Sequence, residues 1–219
     1  MDSIVRLLRE GGKVRVALDM DNASVDLTGA TVPIMNRLLG TSCTAKEMNS
    51  SQYWMEKKLH LYRSFYWEVY DGAWADYRSM RPLIAKQELS ALSRSYRVDF
   101  ITAKESHKTM PYVFNFIAMH FPGHRGAIIE VDLGESKTAL GHRLFVDDAP
   151  RLTKAVEKEE GGHIYLVRGA SDGRYGYNSY IRKSPRVTPV RDTHLAVSML
   201  LELARQAERP ERAMISKSR

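Results

Sequence analysis

VRVALDMDNAS, residues 14–24, decides how this chain is read. A short apolar run, VRVAL, ends abruptly in Asp19, and Asp21 follows two residues later. The run has the composition of a strand buried on both faces, the pattern of a parallel sheet. RLFVDDAP, residues 143–150, repeats the design with Asp147 and Asp148 behind LFV. Between them, RVDFITAKES (97–106) places Thr102 at the end of another apolar run, and GESKTALG (134–141) carries Lys137. Side chains at the carboxyl ends of neighbouring parallel strands converge on one crevice, where open α/β sheets bind ligands. These distant segments are therefore expected to share a site.

Around these runs the chain alternates helical and strand-like patterns. A short helix over 3–10 stops at Gly11-Gly12. Strands are expected at 13–18, 98–102, 127–131, 144–148 and 163–167. Helices are expected at 83–94, 110–120, 150–160 and 192–206. This order gives an α/β fold: a three-layer, Rossmann-like core around a central parallel sheet. Residues 29–82 differ. They are rich in Met, Trp, Tyr and helix formers, and apolar residues recur at helical spacing, as in Phe65, Tyr66, Val69 and Tyr70. They read as a small helical cap inserted after the first strand. The expected organisation is a core of 1–28 and 83–207, a cap of 29–82, and a disordered basic tail of 208–219.

Composition narrows the classes. The 219 residues, 43% hydrophobic, suffice for one core with a small appendage. No apolar run reaches the ~20 residues of a membrane helix, and residues 1–12 lack the apolar stretch of a signal peptide. The lone Cys43 excludes an internal disulfide framework and, with those absences, suggests the cytoplasm. It reads as a small inert residue. The net charge of +7 is concentrated in 174–191 and 205–219. Such a surface attracts phosphorylated metabolites or nucleic acid, or simply solubilises the chain. No nucleic-acid-binding module or zinc-ligand spacing is evident. His107, His120, His124 and His142 read as surface or loop residues.

The residue chemistry suits phosphoryl transfer. Asp19 fits a nucleophile and metal ligand, and Asp21 a general acid and then base; two acids in a solvated loop fit the same pattern. Thr102 can donate to a phosphate oxygen, and Lys137 can neutralise charge shared by nucleophile and phosphate. Asp147-Asp148 behind a buried run would repel each other without a cation, and Mg²⁺ suits a few carboxylates plus water and phosphate. An N-cap by Asp148 ahead of Ala149-Pro150 is the structural alternative.

Taken in order, Asp19-Met20-Asp21, Ile101-Thr102-Ala103-Lys104, Lys137 and LFVDD resemble the haloacid-dehalogenase-like phosphatases over roughly residues 13–205. LLGTSCT (38–44), FYWEVYDGAW (65–74) and the Arg174-Tyr175-Gly176-Tyr177-Asn178 loop make the chain most similar to the 5′(3′)-deoxyribonucleotidases. The resemblance implies Mg²⁺-dependent hydrolysis of a phosphate monoester, with a (deoxy)nucleoside monophosphate as the leading substrate. A sugar phosphate, or a non-catalytic anion- or nucleic-acid-binding role, is the alternative. It implies that Asp19 attacks phosphorus and that Asp21 handles the protons and gives its backbone carbonyl to the metal. Thr102 and Lys137 would hold phosphate, and Asp147 and Asp148 would complete the metal site with Asp19. Asp26 matches a family aspartate of structural or other role. The relatives' glycine after the second Asp is Asn22 here, a residue that tolerates left-handed backbone. Arg81 falls at the expected cap–core hinge, where it would meet either substrate phosphate or a surface acid. Tyr53, Trp54, Phe65, Tyr66, Trp67 and Trp74 are candidates for base stacking or for core packing.

Overall fold

The computed structural model describes residues 2–48, 63–104, 107–132, 136–149, 151–158, 162–167 and 184–208. Six parallel strands form one sheet in the order β3-β2-β1-β4-β5-β6. They are β1 (Arg15–Asp19), β2 (Arg97–Lys104), β3 (Ile128–Asp132), β4 (Leu144–Asp147), β5 (His163–Val167) and β6 (Val187–Val190). The helices are α1 (Asp2–Arg9), α2 (Leu27–Leu39), α3 (Ala45–Met48), α4 (Arg63–Ala75), α5 (Lys86–Ser95), α6 (Met110–His120), α7 (Arg151–Lys158) and α8 (Thr193–Glu208).

Alternation along the strands divides the core into two layers. Val16, Leu18, Val98, Phe100, Leu144 and Val146 point to the face covered by α1, α5, α6 and α8. Ala17, Ile101, Phe145, Ile164 and Leu166 point to the other, against Leu152 and Val156 of α7. Both faces are covered, so the strands read as unbroken apolar runs. In α8, Ala196, Val197, Leu200, Leu203 and Ala204 form the buried stripe, the spacing of one helical face.

The sequence order runs outward in both directions from β1, which pairs with β2 on one side and β4 on the other. The gap between β1 and β4 is thus the topological switch point, the place where open α/β sheets form their binding crevice.

Two features stand outside the expectations. β6, the segment VTPV, is a strand that the sequence pattern does not announce. Pro189 interrupts its apolar run, yet β6 is an edge strand, where proline is tolerated. His142 lies in the loop ahead of β4, one of its two expected settings, but it is buried, at 3% exposure. Its Nε2 lies 2.9 Å from Oδ2 of Asp99, which also accepts from Arg15, while Ala127 N–H donates to Oδ1. Burial pushes the Asp99 carboxyl up, but these hydrogen bonds outweigh it and hold the group below the usual carboxylate range. Burial likewise depresses His142. This network joins the β1, β2 and β4 regions away from the strand ends that carry the acids.

Asp26 caps α2 by accepting from Gly29 N–H, and Gly40 closes the helix in the left-handed region at φ 63°. Cys43 is buried with its thiol free, beside Met35 and Val69. Trp74 is a core residue, edge-on to Phe116 at 6.1 Å. Tyr53 and Trp54, the 174–178 loop and the tail from 209 lie outside the described residues, and Phe65, Tyr66 and Trp67 are described only as backbone of α4. Among the described residues, no helix is long and apolar enough to cross a membrane.

Candidate active site

Asp19 is the last residue of β1 and Asp147 the last of β4. Their strands are neighbours in register, Leu18 opposite Val146, so the two carboxylates emerge side by side at the switch point. Asp148 follows directly. One carboxylate oxygen from each of Asp19, Asp147 and Asp148 lies within 4.8 Å of the other two.

Lys137 enters from the short 3₁₀ turn Lys137–Leu140, whose start is capped by the Ser136 hydroxyl accepting from Thr138 N–H. It is buried at 7% exposure. Its Nζ donates to Oδ1 of Asp19 and, at 2.6 Å, to Oδ2 of Asp147. Asp147 also accepts from Ala149 N–H through Oδ1, at 2.8 Å. This bond lies in the turn ahead of α7, two residues before the helix begins.

The electrostatics follow from this packing. Burial is the main cause that pushes the Asp19 carboxyl well above its usual range; Lys137 opposes it, and Asp147, Asp148 and Asp21 add to it. Burial, then repulsion from Asp147, pushes Asp148 up to about 7 against the pull of Lys137. For Lys137, burial acts to lower the ammonium's pKa, but Asp147 and Asp19 overcome it and raise it above the ordinary lysine value. One ammonium thus faces an excess of carboxylates in a poorly solvated crevice. A hard divalent cation is what such a set of oxygen donors accommodates. Asp19, Asp147 and Asp148 are the residues that could hold one, and oxygen donors of this kind suit Mg²⁺.

Thr102, on β2, is fully buried, and its Oγ1 has no hydrogen-bond partner among the described residues. An orphaned buried hydroxyl costs free energy unless a ligand satisfies it, and a phosphate oxygen would do so.

The loop after β1 is built from its polar departures. Asn22 takes up the left-handed region at φ 59°, so the turn survives without glycine. Its N–H donates to Val25 O at 2.8 Å. Its Oδ1 accepts from Thr28 N–H and Thr28 Oγ1 at 2.8 and 2.7 Å, tying the loop to the start of α2. The Asn22 side chain also hydrogen-bonds Asp148, which lowers that carboxyl's pKa in part. Ser24 Oγ donates to Asp19 O at 2.6 Å, and Thr193 Oγ1, at the head of α8, donates to Ala23 O. The Ser24 hydroxyl and the Asn22 amide are internal braces of this loop.

Asp21 is half-buried, and its carboxylate is not one of the clustered three. Oδ2 of Asp21 accepts instead from the hydroxyl of Tyr70 in α4. The two crossings between 1–28 and 83–207 on one side and 29–82 on the other are stitched together. Val25 bridges Pro82, Asp26 N–H donates to Arg81 O at 2.9 Å, and Leu83 N–H donates to Ser24 O at 2.8 Å. Arg81 pairs with the Asp26 carboxylate at 2.8 Å, so of its two expected partners it takes the surface acid. The Lys104 side chain lies outside what is described.

Sequence reasoning passed over Tyr70 because it occupies a helical apolar position. The roles of Asn22 and Ser24 were equally hidden, since a side chain's distant partner has no local signature.

No family model and no curated protein matches the chain. Solved structures do. A haloacid dehalogenase-like hydrolase from Burkholderia xenovorans LB400 is 14% identical, with 87% of this chain and 98% of that chain covered and a TM-score of 0.54. A haloacid dehalogenase-like family hydrolase from Streptococcus pneumoniae is also 14% identical, covering 85% and 98% at a TM-score of 0.50. An L-2-haloacid dehalogenase matches at 14% identity, 89% and 99% coverage and a TM-score of 0.50. At such identity the likeness is one of architecture: the chain has the α/β fold of the haloacid dehalogenase-like hydrolases.

Proposed function

We propose that the chain is a Mg²⁺-dependent phosphate monoester hydrolase that works through an aspartyl-phosphate. The observation that carries this reading is Lys137 held between Asp19 and Asp147, with Asp148 beside them and an unpartnered Thr102 hydroxyl on the next strand. An anion-binding ammonium, a buried nucleophile and a surplus of carboxylates are the parts that phosphoryl transfer needs in one place.

In this reading Asp19 attacks phosphorus, and the bond from phosphorus to the ester oxygen breaks. Asp21 gives its proton to that leaving oxygen. Asp21 then takes a proton from water as the water oxygen attacks the aspartyl-phosphate, which frees inorganic phosphate and restores Asp19. Lys137 and Thr102 hold the non-bridging oxygens throughout. A bound Mg²⁺ would offset charge on the phosphoryl oxygens. Residues 29–82 serve as the cap over a core of 1–28 and 83–207, and the stitched crossings at Val25 and Pro82 support that division.

The resemblance of the cap segments makes a (deoxy)nucleoside 5′-monophosphate the leading substrate. The experiment is a panel of nucleotides, sugar phosphates and p-nitrophenyl phosphate, with and without Mg²⁺, on the wild-type chain and Asp19→Asn. Metal-dependent phosphate release that Asp19→Asn abolishes is the expected result. Undiminished release by Asp19→Asn refutes the mechanism, and preference for a sugar phosphate moves the substrate while keeping the chemistry.

A further inference from the structure

Tyr70 stands in α4, in the segment assigned to the cap, and is buried at 5% exposure. Its ring belongs to the main core together with Ala73 and Trp74. Trp74 is packed edge-on against Phe116 of α6, and Val69 joins Met35 of α2. The hydroxyl of Tyr70 is therefore placed by packing on rigid elements, the condition for holding another group in a fixed geometry. The group it holds is Asp21, through Oδ2. A phenol donating to a carboxylate is a charge-assisted hydrogen bond, about twice as strong as a neutral one.

From this geometry we infer that Tyr70 is a positioning residue for proton transfer by Asp21. The inference rests on the reading of Asp21 as general acid and base. The phenol holds Oδ2 and so steadies the carboxyl group that gives its proton to the leaving group. The same carboxyl group then takes a proton from the attacking water. Tyr70 keeps its own proton throughout and touches neither phosphorus nor the leaving group.

The test is leaving-group dependence. An acidic phenol departs with little help from a general acid, whereas an alkoxide needs a proton. Tyr70→Phe keeps the ring and removes the hydroxyl. With Mg²⁺, kcat/KM, which reports only the steps up to departure of the leaving group, is expected to fall about 30-fold for the alkyl monophosphate that the wild type turns over fastest, the effect of losing one hydrogen bond to a charged group. For p-nitrophenyl phosphate kcat/KM falls only about threefold, while kcat falls alike for both esters where hydrolysis of the shared aspartyl-phosphate is the slowest step. Asp21→Asn should show the same skew more strongly, since general acid–base catalysis contributes on the order of 100-fold or more. Replacing Tyr70 by 3,5-difluorotyrosine keeps the shape of the side chain and alters only its hydroxyl, and it should change kcat/KM for the alkyl ester at least twofold more than for the aryl ester. Equal losses of kcat/KM on both esters in Tyr70→Phe, or equal changes in the difluorotyrosine protein, overturn the inference and leave Tyr70 a packing residue. Equal losses of kcat/KM on both esters in Asp21→Asn, or no turnover by the wild type, overturn the functional reading itself.

Discussion

Replacing Lys137 by Met probes the centre of the site. In the structure the ammonium makes two charge-assisted hydrogen bonds, to Asp19 and Asp147, and all three side chains are less than a tenth exposed. A hydrogen bond to a charged group contributes about 1.5–3 kcal/mol, so the gross loss is about 3–6 kcal/mol. Two effects reduce it. The variant no longer buries an ammonium, and Asp19, whose carboxyl is already pushed up by burial, can take up a proton. Breaking one side of a buried ion pair costs about 3–5 kcal/mol, and the low end, about 3 kcal/mol, is expected here. For a domain of this size each kcal/mol shifts the melting temperature by about 2–4 °C, so Lys137→Met should melt about 6–12 °C below wild type in EDTA. Saturating Mg²⁺ should at least halve that deficit, because the cation takes over part of the neutralisation. Thermal unfolding followed by circular dichroism, with and without metal, reads both numbers. A variant that melts at or above the wild type in EDTA refutes the claim that Lys137 holds the carboxylates together. A deficit unchanged by Mg²⁺ refutes the claim that metal and lysine share one cluster.

Thr102→Val removes a hydroxyl that has no partner among the described residues, so folding should be unaffected or strengthened by up to about 1 kcal/mol. Inhibition by inorganic phosphate should weaken about tenfold, which a phosphate titration of the hydrolysis rate would show. Asn22→Ala loses both hydrogen bonds from Thr28 and puts a Cβ-bearing residue without a polar side chain at φ 59°. It should cost about 2 kcal/mol in thermal unfolding, and Asn22→Gly should cost less because glycine accepts that backbone freely. In EDTA, stability should fall with rising pH. Asp148 is pushed up to about 7, so the folded chain keeps a proton that the unfolded chain releases near pH 4. That contribution is complete below the ordinary carboxylate range and is lost as pH climbs through about 7. Melting temperatures across this range should decline without metal and flatten with Mg²⁺; a metal-free profile that rises with pH would contradict the assigned electrostatics.

The reach of the sequence depended on how local each cause was. Parallel strands buried on both faces are written as apolar runs, and a carboxylate at the end of such a run stands out, so β1, β4 and their acids were legible directly. Lys137 has no local mark among many lysines and became visible only through its spacing to LFVDD in related chains. β6 escaped because Pro189 breaks its run, and only its edge position makes that proline harmless. The burial of His142 in its loop left no local mark, because its partner Asp99 is far away in the chain. Tyr70 carries two messages in one side chain, a ring for the core and a hydroxyl for Asp21, and helical periodicity reports only the first.

The hydrogen bond from Thr193 to Ala23 joins positions 170 residues apart. Its donor opens the last described helix, and its acceptor lies in the loop that follows β1. During synthesis Asp19 and Asp21 leave the ribosome long before their prop is made, so a nascent chain can hold the right residues while the loop after β1 is still unbraced. Competence should therefore arrive late and abruptly, when α8 docks, and a chain cut before residue 193 should regain it only if that helix is supplied as a separate peptide.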